Sequence, residues 1–204
     1  MLDVNVSSLT VVKRADLIGR DEPMIWTMFV ELSFATIASL QFVIRTDPVA
    51  GKLAKAKKGD TVTVPASVGH YHNEAEGIFM GGVAVLASDN DLRSKNQIRD
   101  GYSAAAEALN KGIRDHFPKF GFVEMTDQEK EDISDAMKAA IRKAFFGRSI
   151  FLTLAGGKPV GGGTITRELV EDTIDEPFAI TCKPEKNDRA IYRVDGRLQF
   201  ERPE

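Results

Sequence analysis

The chain has 204 residues, 43 % of them apolar and 28 % charged, with 27 Lys plus Arg against 30 Asp plus Glu for a net charge of −3. Such a composition can bury a core and excludes a wholly disordered chain, and the slight acidic excess argues against a dedicated nucleic-acid binder, which concentrates basic residues on one face. Its single cysteine, Cys182, excludes an internal disulfide and any Cys-rich zinc module.

At roughly 150 residues per domain the length corresponds to one domain over residues 1–204 with a helical insertion at about 91–147. Met1 to Val6 lacks the basic start and apolar stretch of a secretory signal, so the expected location is cytoplasmic. Leu9 to Lys13 is a short β-branched run. From Met24 to Leu32 the chain alternates, with Met24, Trp26, Met28, Val30 and Leu32 on one face and Ile25, Thr27, Phe29 and Glu31 on the other, which predicts a strand covered on both sides. Met24 to Ile44 is long enough to span a bilayer. Glu31 near its middle costs about 2.5–3.5 kcal/mol there, so the segment reads as two adjacent buried strands, the second over Ile37 to Arg45. A turn at Lys58-Gly59-Asp60 leads into Thr61 to Val64, which Pro65 halts. Gly69 to Gly77 is a polar loop, and Ile78 to Ala87 is an apolar run that periodicity alone leaves as strand or buried helix.

Ile98, Tyr102, Ala105, Leu109 and Ile113 form one amphipathic stripe, ended by Pro118 and Gly121. Thr126-Asp127-Gln128-Glu129 is a capping box opening a second stripe, Ile133, Met137, Ala140, Ile141 and Ala144, closed by Gly147. The two helices predict an αα-hairpin. Strands return at Ser149 to Ala155, Thr164 to Val170, Phe178 to Lys183, Ala190 to Val194 and Arg197 to Phe200. Gly156 to Gly163 reads as a hairpin loop, and Asp195-Gly196 as a two-residue turn. Basic and acidic groups nearly balance in each third of the chain. The fold class is therefore mainly β with an α insertion, an antiparallel β-sandwich carrying the αα-hairpin.

The stretch from Leu9 to Pro23, with its Ala15-Asp16-Leu17 and its acidic loop before the Trp26 strand, resembles the opening of a C2-type sandwich. That resemblance implies Ca²⁺ held by loop oxygens of Asp16 and Asp21, with Lys52, Lys55, Lys57 and Lys58 facing anionic lipid. This chain has Asp21-Glu22-Pro23 where C2 domains carry Asp-Pro-Tyr, and it has no counterpart to their second acidic loop. Asp21 to Phe29, Gly59 to Pro65 and Gly82 to Leu86 also resemble an uncharacterised microbial family whose members carry an Asp-Glu-Pro-Tyr-Leu-Trp-Thr type strand, a likeness that bears on fold alone.

His70 and His72 alternate across Tyr71, so both imidazoles face one way on a strand. With His116, the only other histidine, they are the zinc candidates for a metal-dependent hydrolase. Asp89-Asn90-Asp91 begins like a calcium loop but has Arg93 at the fifth position and no glycine at the sixth, and reads as helix capping. The glycine run at 156–163 lacks the ending of a phosphate loop. No nucleophile elbow or catalytic set is present in the sequence. The leading expectation is a non-catalytic binding or assembly module, without cofactor, that engages a protein partner or a second copy of itself. The Ca²⁺-dependent lipid module at a membrane surface and the zinc hydrolase are the alternatives.

Overall fold

The computed structural model describes residues 1–14, 19–46, 51–89, 95–120, 126–146, 159–183 and 190–203. Its strands are β1 (Leu2–Lys13), β2 (Pro23–Ser33), β3 (Val43–Arg45), β4 (Thr61–Thr63), β5 (His70–Asn73), β6 (Ile78–Asp89), β7 (Pro159–Glu168), β8 (Thr173–Cys182) and β9 (Ile191–Glu201). The helices are α1 (Phe34–Ser39), α2 (Ala66–Gly69), α3 (Lys95–Phe120) and α4 (Asp127–Phe146). One antiparallel sheet has the order β4-β1-β9-β8, with β5 pairing the other half of the same β1 edge, and the second has the order β3-β2-β6-β7.

Alternation in each strand decides the layering. Val4, Val6, Leu9 and Val11 of β1 meet Ile25 and Phe29 of β2, Val83 and Val85 of β6, and Tyr192, Val194 and Leu198 of β9 in one core between the sheets. The opposite face of the second sheet carries Met24, Trp26, Met28, Val30 and Ala84, which form a second core with Tyr102, Ala105, Leu109 and Ile113 of α3 and Ile133 and Met137 of α4. Every residue of β2 is buried, as the double apolar alternation of its sequence requires. The second sheet is thus the middle layer of three. Tyr102 packs edge-on against Trp26 at 6.4 Å and donates its hydroxyl to the Thr27 carbonyl, fastening α3 to β2. Asn110 accepts from the Phe42 amide and donates to the Leu40 carbonyl. At Gly112 a side chain would collide with Ile133, so glycine sets the close approach of α3 and α4. Among the described residues no helix is long and apolar enough to cross a membrane.

Several elements differ from the sequence expectation for identifiable reasons. The strand expected over Ile37 to Arg45 begins instead as the last residues of helix α1 and its closing turn, because Ser33 and Thr36 form a reciprocal capping box and Leu40 closes the turn with φ 53°; Val43 to Arg45 is strand and pairs with β2. Gly161 to Gly163 are strand, paired with Ala87, Leu86 and Val85. A side chain at Gly162 would meet the Val85 carbonyl, and one at Gly161, φ +143°, would meet the Lys183 backbone. Asp195-Gly196 lies within the continuous β9, opposite a register shift between Val6 and Ser8, and Gly196 leaves room for the Phe178 ring. Residues 70–73 of the expected loop are strand β5. Helix α3 continues through Pro118 to Phe120. Asp89 ends β6 and accepts from the Glu22 amide, while residues 90–94, where the helix capping was expected, lie outside the described residues. The strand expected over Ser149 to Ala155 lies outside the described residues.

Removing the largest side chain of the middle layer tests its two-faced burial. Trp26→Ala is expected to cost about 3–5 kcal/mol by urea unfolding. Gly82→Ala, whose methyl would strike the Ile165 carbonyl, is expected to cost about 1–3 kcal/mol. Losses below about 1 kcal/mol for both would contradict the described packing.

Candidate functional site

Polar chemistry gathers at the end of the molecule where β1 begins and β2 finishes, and strand β5 organises it by alternation. Tyr71 and Asn73 point between the sheets. There the Tyr71 hydroxyl donates to Glu31 Oε2, and Asn73 Nδ2 donates to the same oxygen at 2.7 Å. Glu31 is only 3 % exposed, so these two donors replace water for a buried carboxylate. The Tyr71 ring stacks on Phe29 at 5.5 Å. Burial first, then the hydrogen bond to Glu31 and that group's charge, push the Tyr71 phenol well above its ordinary value of 10.0. His70 and His72 point the other way, into solvent. His70 Nε2 and His72 Nδ1 both approach Asp3 Oδ2, at 2.8 and 3.2 Å, and His72 Nε2 lies 3.4 Å from Glu74.

Beside this strand lies a cleft of about 480 Å³ whose lining includes Phe34, Phe79, Leu169, Val170, Phe200 and Pro203, with Glu168 and Arg202 at its margin. Phe34 is 72 % exposed and Val170 71 %, the two most exposed large apolar side chains among the described residues. Local structure puts them there. Phe34 is the first residue after the Ser33 cap of α1, and Val170 follows β7 in the turn to β8. Arg202 is held by Asp172 at 3.2 Å and donates to the Leu169 and Val170 carbonyls. The cleft thus offers an apolar floor and a polar margin, the makeup of a binding surface. Covering Phe34 and Val170 would contribute about 1.5–3 kcal/mol each.

The residues singled out from sequence are dispersed. Asp21 is fully buried; its carboxylate accepts from the Tyr192 hydroxyl at 2.8 Å, and its backbone pairs with Ala56. Its carboxylate therefore reaches Tyr192 of the outer sheet, in the core between the sheets. Asp16 lies outside the described residues. Glu22 takes Lys55 at 2.5 Å and Lys52 at 3.3 Å, and the hydrogen bond from Lys55 holds its carboxyl below the usual range even though burial opposes this. His70 and His72 come together with Asp3, whereas His116 sits in the helical layer, its Nδ1 2.8 Å from Glu129 of α4. Among the described residues no group of three or more His, Cys, Asp and Glu is arranged to hold a metal ion.

Sequence reasoning passed over Tyr71, Asn73 and the role of Glu31, although the His-Tyr-His-Asn alternation is itself a signal of a two-sided strand. Phe34 and Val170 carried no signal, since their exposure depends on how two chain turns meet. No family model, curated protein or solved structure matches the chain.

Tyr71→Phe leaves Glu31 one donor short and is expected to cost about 1–3 kcal/mol. Because the folded phenol titrates above 10.0, its contribution is present below pH 10 and lost as pH rises through the folded value. In a difference titration, the tyrosinate absorbance missing from Tyr71→Phe is expected to appear only well above pH 10. A midpoint near 10 would contradict the buried Tyr71–Glu31 contact. At the other pH extreme, the Thr126 hydroxyl and amide, and after them His116, draw the Glu129 carboxyl from 4.5 to about 2. That contribution to α4 is present above pH 4.5 and lost as pH falls towards 2. Glu129→Gln is expected to flatten the acid limb of the stability profile, and an unchanged limb would contradict the assignment.

Proposed function

We propose that this chain is a non-catalytic binding or assembly module that engages a protein partner through the apolar cleft at the Phe34 and Val170 end. The observation that carries this reading is the convergence of those two exposed side chains on one concave surface. Isolated exposed apolar groups are ordinary on protein surfaces, but two bordering one cleft form a patch that a partner can desolvate. The two stacked sheets with α3 and α4 read as a β-sandwich carrying an αα-hairpin, a rigid frame on which such a surface needs little ordering on binding. The cleft is lined by apolar side chains with two ionisable groups at its margin, Glu168 and Arg202, and the latter is already engaged.

The alternatives draw less support. A C2-like calcium and lipid module needs outward loop oxygens and a free lysine cluster, whereas Asp21 faces Tyr192, and two of its four lysines, Lys52 and Lys55, are bound to Glu22, which leaves only Lys57 and Lys58 to face lipid. A zinc hydrolase built on His70 and His72 lacks His116 nearby and would have to recruit Asp3.

A photoreactive phenylalanine analogue at position 34 is expected to crosslink to another polypeptide, and the same analogue at position 40, on the exposed Leu40, is not. Phe34→Asp with Val170→Asp is expected to weaken binding of an apolar fluorescent dye roughly tenfold or more, with Leu40→Asp neutral. Equal dye binding by all variants, with no adduct at position 34, would sink the proposal.

A further inference from the structure

Because the strands run antiparallel, residues far apart in sequence gather at each end of the molecule, and charge gathers with them. At the cleft end, Glu76, Glu168 and Glu171 stand on or beside the lining and make no ion pair among the described residues; the nearby bases Arg202 and Arg167 are paired with Asp172 and Glu176. The opposite end is reached along β1. There Val12 is 43 % exposed, beside the exposed Lys13. The Gly59 amide donates to the Val11 carbonyl and so brings Lys57 and Lys58 alongside. These three lysines make no ion pair among the described residues either. The twelve residues of β1 separate the two ends by roughly 36 Å at about 3.3 Å per residue. With a screening length of about 8 Å at physiological ionic strength, neither end neutralises the other.

Resting on the cleft reading above, we propose that the cleft's occupant is a second copy of this chain, docked head to tail: the Val12, Lys13, Lys57 and Lys58 end of one copy against the acid-rimmed cleft of the next. Two clefts facing each other would set acidic rim against acidic rim, which opposes a two-fold dimer. The head-to-tail contact pairs opposite charges around apolar side chains and repeats into a ring or an open chain of copies. Apolar cover and the opposite charges supply the affinity together, neither holding the contact alone, and the charges also set the orientation.

Sedimentation velocity over a concentration series tests this on the whole chain, with Glu168→Lys plus Glu171→Lys reversing one end and Lys57→Glu plus Lys58→Glu reversing the other. Lys57, Lys58 and Glu171 are exposed and Glu168 is half-buried, and thermal unfolding checks that each variant keeps its fold. The wild type is expected to exceed its 22.4 kDa monomer mass at about 0.02 M salt and to return to it at about 0.5 M. Each double variant alone is expected to stay monomeric, and their equimolar mixture to associate again, because one then offers two basic ends and the other two acidic ends. A wild type monomeric throughout, or a mixture that fails to associate, overturns the proposal while leaving the cleft open to a foreign partner if position 34 still crosslinks. Association that survives Phe34→Asp places the contact elsewhere and overturns the head-to-tail docking, and absence of any crosslink at position 34 overturns the cleft reading itself.

Discussion

The structure depends on β2 and its neighbour β6 being buried on both faces. A strand in that position can leave no polar group unanswered, and its neighbours are arranged accordingly. Thr27 donates to the Val68 carbonyl, Glu31 accepts from Tyr71 and Asn73, and at the start of the strand the preceding Asp21 accepts from Tyr192. The two carboxylates, at opposite ends of the strand, each tie the middle sheet to the outer one through a tyrosine hydroxyl. These contacts act as register marks between layers that apolar packing alone would hold less specifically.

The same constraint explains the cleft. The middle sheet ends where β2 gives way to the short α1, and the outer sheet ends where β9 runs out past Phe200. Phe34 and Val170 stand just beyond the reach of the layers that bury their neighbours, and Gly77, with φ +74°, lets the chain pass Phe34 closely. The cleft is the open end of the core between the sheets.

Much of this was legible in the sequence. The double alternation of Met24 to Leu32 announced a strand covered on both sides, and the Ile98 to Ile113 and Ile133 to Met137 stripes announced the layer that covers it. Elements that failed to read correctly were governed by contacts between segments. Ile37 to Leu40 has β-like residues yet turns into helix because Ser33 and Thr36 cap it. The glycines at 161–163 signal a loop in isolation, but they are needed where β7 passes the Lys183 backbone and the Ile180 side chain. Asp195-Gly196 suggests a turn until Phe178 is placed over it. Charge was the least legible property. Each third of the chain is nearly neutral, and only antiparallel pairing sorts the lysines of positions 13, 57 and 58 to one end and the glutamates of positions 76, 168 and 171 to the other.

β2 and β6 form the middle layer on which both cores rest. Native-state hydrogen exchange tests this most directly, because amides at the centre of the core open only with global unfolding, while peripheral strands open locally. The amides from Met24 to Leu32 and their partners from Met80 to Ser88 are expected to exchange slowest, with one common opening free energy equal to that of global unfolding. If β1 and β9 outlast them, or if β2 opens in a separate, lower-energy step, the middle-layer account is contradicted.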